Sequence, residues 1–177
     1  MGYVKTVVDG SAVNTGRTFT ATKTGEGTSW GAVYAQFLQK TAEVENSSSG
    51  IKVKREVMIA GEPQSAAISL KVGDRIKVRI TIESTRDLDF VQVVDRRAAC
   101  MEPVRQLSGY QSGAYVSPKD NATHYFYGMM SKGKHVIETE YYIDRSGQYE
   151  TGTCSVGCAY APEYRATAKS ETLIVKE

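Results

Sequence analysis

Residues 75–95 read RIKVRITIESTRDLDFVQVVD, and this stretch decides the fold. Ile76, Val78, Ile80 and Ile82 stand on alternate positions, separated by Lys77, Arg79 and Thr81. That is the period of two that gives a strand one buried and one wet face. A second apolar run, residues 89–94, follows a polar turn containing Ser84, Thr85, Arg86 and Asp87. Two runs this close form either an antiparallel hairpin or a corner between two sheets.

Working outward, further strands are expected over residues 51–59 and 67–70, the latter running into a turn at Gly73 and Asp74. Downstream, strands are expected over 124–130, 135–143, 148–161 and 165–175, with turns at 132–134 and 144–147. Residues 105–123 contain Ser, Gly and Pro with little periodicity and read as a long loop. Many short strands at even spacing, with Gly and Asp turns, imply an all-β chain. The expected fold is an antiparallel two-sheet β-sandwich of immunoglobulin-like architecture. Upstream, residues 3–8, 17–22 and 29–38 are candidate strands. The last, SWGAVYAQFL, is apolar on both faces. Its Trp, Val, Tyr and Phe content favours a strand buried on both sides, although periodicity alone does not separate it from a short helix. The segment 45–50, ENSSSG, is a linker signal, read as a domain boundary or a long surface loop. The expected division is 1–47, N-terminal strands that could end a preceding all-β domain, and 48–177, the sandwich.

A chain of 177 residues can bury roughly two thirds of its unfolded surface. Lys plus Arg is 22 against Asp plus Glu 20, a net charge of +2 that singles out neither nucleic acid nor an anionic membrane. The clusters Lys52, Lys54, Arg55 and Arg96, Arg97 read as solvated faces rather than an anion site. The opening MGYVKTVVDG lacks the basic segment and the apolar run of about 7 to 15 residues of a signal peptide. No stretch reaches the ~18 apolar residues of a membrane span. The chain is thus either cytosolic or a piece of a longer exported protein.

Three cysteines, Cys100, Cys154 and Cys158, are the first candidates for chemistry. On an extended strand, positions 154 and 158 lie about 13 Å apart at ~3.3 Å per residue, beyond the ~7 Å Cα limit of a disulfide. They share a face, so Cys100 can reach only one of them. One bridge with a leftover thiol is expected, against three reduced, buried cysteines. Zinc has enough donors if His124 and His135 join the cysteines, but no C-x-x-C or paired-His spacing marks a site. No metal or other cofactor is expected. Neither His is marked as a base for a particular Cys. Phosphate-loop and G-x-S-x-G motifs are missing. The sequon at Asn121-Ala122-Thr123 is of a kind frequent by chance. Cys100-Met101-Glu102-Pro103 has the outline of the C-x-E-Q of internal thioesters. With Pro103 at the Gln position it has no acyl donor and cannot form one.

Five segments carry a family resemblance through their order and spacing. They are GIKVKREV from Gly50, SLKVGDRIKVRITI from Ser69, DFVQVVDRRAACMEPV from Asp89, SKGKHVIETEYYIDRSGQYETG from Ser131 and YAPEYRATAKSETLIV from Tyr160. Together, over about residues 50–177, they resemble the C-terminal macroglobulin-like domain of bacterial alpha-2-macroglobulins, with a Y-A-P-E motif before the final strand. Residues 1–45 resemble, more loosely, strands returning from the thioester-bearing helical domain of that family. The resemblance implies a large exported protease-trapping parent, periplasmic or on the cell surface. It also implies a non-catalytic role for this domain, with the other domains of the same chain as its partners and proteases engaged through the whole. It marks Tyr160 as a thioester-shielding or interdomain contact residue. Ala159 stands where relatives that shield carry Met, which tells against shielding. It also implies a Cys100–Cys158 disulfide, as both lie in motif segments expected to be neighbours and the location is oxidising.

The leading reading is therefore a non-enzymatic module that packs against neighbouring domains and rearranges with them after cleavage elsewhere. The alternative is a stand-alone adhesion or glycan-binding sandwich using exposed Tyr110, Tyr115 and Tyr125. A Cys/His enzyme is third.

Overall fold

Ile76, Val78, Ile80 and Ile82 all point into the core of a computed structural model that describes residues 3–10, 18, 20–64 and 67–177. The chain divides into two units, residues 1–39 and 40–177. In the second unit the strands run in chain order as β1 Ser47–Ser49, β2 Ile51–Ile59, β3 Glu62–Gln64, β4 Ile68–Lys71 and β5 Arg75–Ser84. There follow β6 Leu88–Arg96, β7 Met101–Pro103, β8 Gly109–Gln111, β9 Ala114–Pro118 and β10 Ala122–Met130. The last five are β11 Gly133–Ile143, β12 Gly147–Glu150, β13 Cys154–Cys158, β14 Arg165–Ala168 and β15 Thr172–Lys176.

These strands make a sandwich. One sheet has the order β3-β2-β5-β11-β7 and the other β1-β14-β13-β6-β10-β9-β8, both antiparallel. A third, small sheet, β12-β15-β4, contains a parallel pair, β15 with β4. One core cluster draws Val57 and Ile80 from the first sheet, Val91, Val93 and Val156 from the second and Leu173 from the third.

β5 and β6 do not pair, so the stretch 75–95 is a corner between sheets. Ser84 shapes the corner: its hydroxyl donates to the Arg86 carbonyl at 2.6 Å and accepts the Arg86 N–H at 3.3 Å. Asp87 accepts the Lys132 N–H at 2.7 Å, which ties this corner to the turn where β10 passes into β11.

Several expected elements differ. The expected strand 148–161 is two strands in different sheets, broken at Gly152. Gly152 has φ +82°, and a Cβ there would meet the Arg96 Cβ at 2.7 Å. The expected strand 165–175 likewise splits at Lys169 to Glu171. The two breaks are stitched together, with Thr151 N–H donating to the Glu171 carbonyl at 2.8 Å and Gly152 N–H to Ser170 Oγ at 3.2 Å. The expected loop 105–123 contains a hairpin, β8 with β9, closed by Ser112 and Gly113 at φ +50° and +83°. Two consecutive positive φ values mark the type I′ form of a two-residue hairpin loop. The linker 45–50 contains β1, which pairs at the sheet edge with β14.

The first unit carries no strand among its described residues. The expected strands 3–8 and 29–38 are not formed, and Arg17 and Phe19 of the expected strand 17–22 lie outside the described residues. Trp30 is 94 % exposed, and Tyr34, Phe37 and Leu38 are also exposed. Strand-prone residues make a strand only when another strand supplies the hydrogen bonds.

Candidate functional site

Tyr160 stands on the loop between β13 and β14, and its backbone neighbours are tied down on both sides. Cys158 N–H donates to the Tyr164 carbonyl at 3.1 Å, Tyr164 N–H to the Ala161 carbonyl at 2.9 Å, and Ala159 N–H to the Phe90 carbonyl at 3.0 Å. Below the loop, the Tyr164 ring lies against Gly50, where a Cβ would come within 2.5 Å of it, and the Arg86 guanidinium sits 5.4 Å from its centroid. The Tyr160 side chain itself is 82 % exposed and meets the Phe90 ring edge-on, centroids 5.2 Å apart at 89°.

Phe90 is irregular. It lies within β6 at φ +52°, a conformation that costs a bulky residue about 1–3 kcal/mol. Asp89 and Phe90 are both exposed, and so are Gly128 and Met129 opposite them, although the pairing resumes without a shift of register. Sequence reasoning missed Phe90. The signal is that the inward residues of this strand fall at 93, 91 and then 88 rather than 89.

The same face of the second sheet carries an exposed aromatic row. Tyr110 of β8 pairs with Tyr115 of β9, which pairs with Phe126 of β10. The Tyr110 and Tyr115 rings meet at 5.3 Å, and His124 stacks on Phe126 at 6.0 Å. Tyr125, expected among the exposed tyrosines, is instead buried, its hydroxyl bonded to Thr139 Oγ1.

All three cysteines are free and buried. The strand register places Cys100 and Cys158, the two expected to bond, apart. Cys158 pairs with Val91 and Cys154 with Asp95, whereas Cys100 lies in the turn that follows the Arg96 end of β6, its carbonyl accepting the Asp144 N–H at 3.0 Å. Cys158 is thus four residues, about 13 Å, further along β6 from that turn than Cys154 is. Burial pushes the Cys100 thiol up to about 11 and pushes Cys154 and Cys158 upward too. A raised thiol is a poor nucleophile at neutral pH. Neither His faces a cysteine as a base: His124 Nδ1 is 3.3 Å from Gln92 Nε2, and His135 Nε2 is 2.7 Å from the Ser131 carbonyl. Among the described residues no group of three His, Cys, Asp or Glu is placed to hold a metal, and no helix is long and apolar enough to cross a membrane.

Arg55, read as part of a solvated basic cluster, is buried. Its Nε donates to Asp95 Oδ1 at 2.6 Å, and its Nη2 donates to the carbonyls of Arg96 and Thr151, both at 3.3 Å. Burial pushes the Asp95 carboxyl up and Arg55 opposes the shift.

Two antiparallel sheets closed over one core, with an anchored loop and an exposed aromatic face, make this an all-β sandwich whose features of interest lie on its surface. Residues 50–163 match the bacterial alpha-2-macroglobulin MG10 domain, and the chain belongs to that family. Solved structures similar in fold include the methylamine-reacted alpha-2-macroglobulin of Salmonella, at TM-score 0.65 and 23 % identity over 76 % of this chain and 10 % of that one. The trypsin-activated protein of Escherichia coli gives TM-score 0.66 at 18 % identity over 76 % of this chain and 11 % of that one. The native Escherichia coli fragment from domain MG7 to the C-terminus gives 0.64 at 18 %, covering 75 % of this chain and 24 % of that one. The chain spans about a tenth of the length of the Salmonella protein. No curated protein matches it.

Proposed function

We propose that this chain is a non-catalytic packing domain of an exported, periplasmic or cell-surface alpha-2-macroglobulin-like protein that traps proteases. In this role it holds neighbouring domains in the uncleaved arrangement and lets them rearrange after cleavage elsewhere. The observation that carries the reading is Tyr160, a large aromatic that is 82 % exposed on a loop fixed by backbone hydrogen bonds. An aromatic held out on a rigid support suits burial in a partner surface. The exposed Trp30, Tyr34 and Phe37 fit the same picture, with residues 1–47 serving as the end of the preceding domain, whose own strands would pair with this segment and cover those rings. The test is Tyr160→Ala in the parent protein, with native-gel mobility and solution scattering recorded before and after protease treatment. The variant is expected to adopt the cleaved-like form without protease. Wild-type behaviour before and after cleavage overturns the reading.

One observation favours the adhesion or glycan-binding alternative, the exposed row Tyr110, Tyr115 and Phe126. Retention of the chain on insoluble cell-wall glycan, lost in Tyr110→Ala/Tyr115→Ala, would select it.

A further inference from the structure

We infer that Phe90 is the positioning residue for Tyr160, its strained backbone serving to raise a ring against which the Tyr160 ring stands. This rests on the reading of Tyr160 as an interdomain contact and adds the element that aims it.

Three features of Phe90 converge on the one loop. Its carbonyl accepts the Ala159 N–H at 3.0 Å, which fixes the residue immediately before Tyr160. Its ring meets the Tyr160 ring at 5.2 Å and 89°, the edge-on geometry aromatic pairs prefer. Its φ of +52° interrupts the alternation of β6 and leaves the side chain 56 % exposed rather than packed. A strand residue with no apolar pocket to fill gains little from such a conformation by itself, and strain of this kind concentrates where it serves a site. The opposing strand accommodates the irregularity, with Gly128 lying between Tyr127, paired with Val91, and Met129, paired with Asp89. Without the Phe90 ring, an 82 % exposed Tyr160 would sample its rotamers freely, and a partner surface would have to order it on docking.

The backbone and ring roles separate by substitution. Phe90→Asn keeps a residue that tolerates positive φ but removes the ring. Phe90→Tyr keeps the ring. The readout is 19F NMR of the full 177-residue chain labelled with 3-fluorotyrosine, the Tyr160 resonance being identified by its loss in Tyr160→Phe. In Phe90→Asn that resonance is expected to move to the free-tyrosine position and sharpen, while the thermal midpoint stays near wild type. In Phe90→Tyr it is expected to stay within the wild-type linewidth. A Tyr160 resonance unmoved in Phe90→Asn overturns the inference. In the parent protein, Phe90→Asn is expected to shift native-gel mobility in the same direction as Tyr160→Ala. If Tyr160→Ala leaves mobility unchanged while Phe90→Asn moves the 19F resonance, the interdomain reading falls and the positioning of Tyr160 by Phe90 stands.

Discussion

Arg55 Nε lies 2.6 Å from Asp95 Oδ1 across the middle of the sandwich, joining β2 of one sheet to β6 of the other with both side chains almost wholly buried. The guanidinium also satisfies two carbonyls, those of Arg96 and Thr151, at the point where the chain crosses between sheets. A charge pair taken out of water gains less than its Coulomb attraction suggests, but breaking it strands the remaining charge.

Asp95→Ala should therefore cost about 3–5 kcal/mol, the range for removing one partner of a buried pair. Arg55→Met/Asp95→Leu should cost less than that single change, yet remain destabilising because the two carbonyls lose their donor, about 1–3 kcal/mol. Urea unfolding of the wild type, Arg55→Met, Asp95→Leu and the double variant closes the cycle. A double variant as unstable as the sum of the singles would show that the pair has no coupling.

Gly152→Ala tests the crossing itself. The positive φ alone costs about 1–3 kcal/mol. The new Cβ would also lie 2.7 Å from the Arg96 Cβ and 2.8 Å from its carbonyl carbon, inside any real contact. Gly61→Ala is the control, since Gly61 has φ +89° with open space around it. The Gly152 variant should lose clearly more stability by denaturant midpoint than the Gly61 variant, and equal losses would refute the close approach.

Much of this was legible in the sequence, and what was not has a physical cause. The inward positions Ile51, Val53, Arg55, Val57 and Val91, Val93, Asp95 are in phase, so the alternation already put Arg55 and Asp95 inside. The neighbouring Lys52 and Lys54 made Arg55 look like surface charge, and Asp95 beside Arg96 and Arg97 was not singled out. Period two reports which face a residue takes but not which strand lies alongside. That is why 75–95 left hairpin and corner open, and why single long runs were expected where Gly152 and Ser170 divert the chain to another sheet. In His124-Tyr125-Phe126-Tyr127 both faces are aromatic, so only pairing with β6 and β9 reveals that Tyr125 turns inward and Phe126 outward. Tyr160 was legible through its motif, whereas Phe90 needed the backbone.

Alkaline pH should unfold the domain through its buried acids. The Cys100 thiol moves from 9.0 to about 11 because burial disfavours the thiolate. Between those values the folded chain holds a proton that the unfolded chain has released, so stability is complete below about pH 9 and declines as pH rises through 11. Burial also raises the Tyr125 and Tyr141 hydroxyls, extending the decline upward. Urea midpoints from pH 7 to 11 should fall across this window, and Cys100→Ala should flatten the first part of the fall. A midpoint constant to pH 11 would contradict the burial of these groups.

The thiols give the last test, because the register assigns each a different place. Cys158 pairs with Val91 and Cys154 with Asp95, both facing the core, while Cys100 occupies the turn before β7. The folded chain should resist alkylation at all three positions at neutral pH, since each is buried and each thiol is raised. In denaturant without reductant all three should be modified. Peptide mapping by mass spectrometry reads both states. A Cys100–Cys158 peptide surviving denaturation would mean that β6 and β13 pair in another register in the oxidised protein, and would move the Tyr160 loop with them, because that loop begins at Cys158.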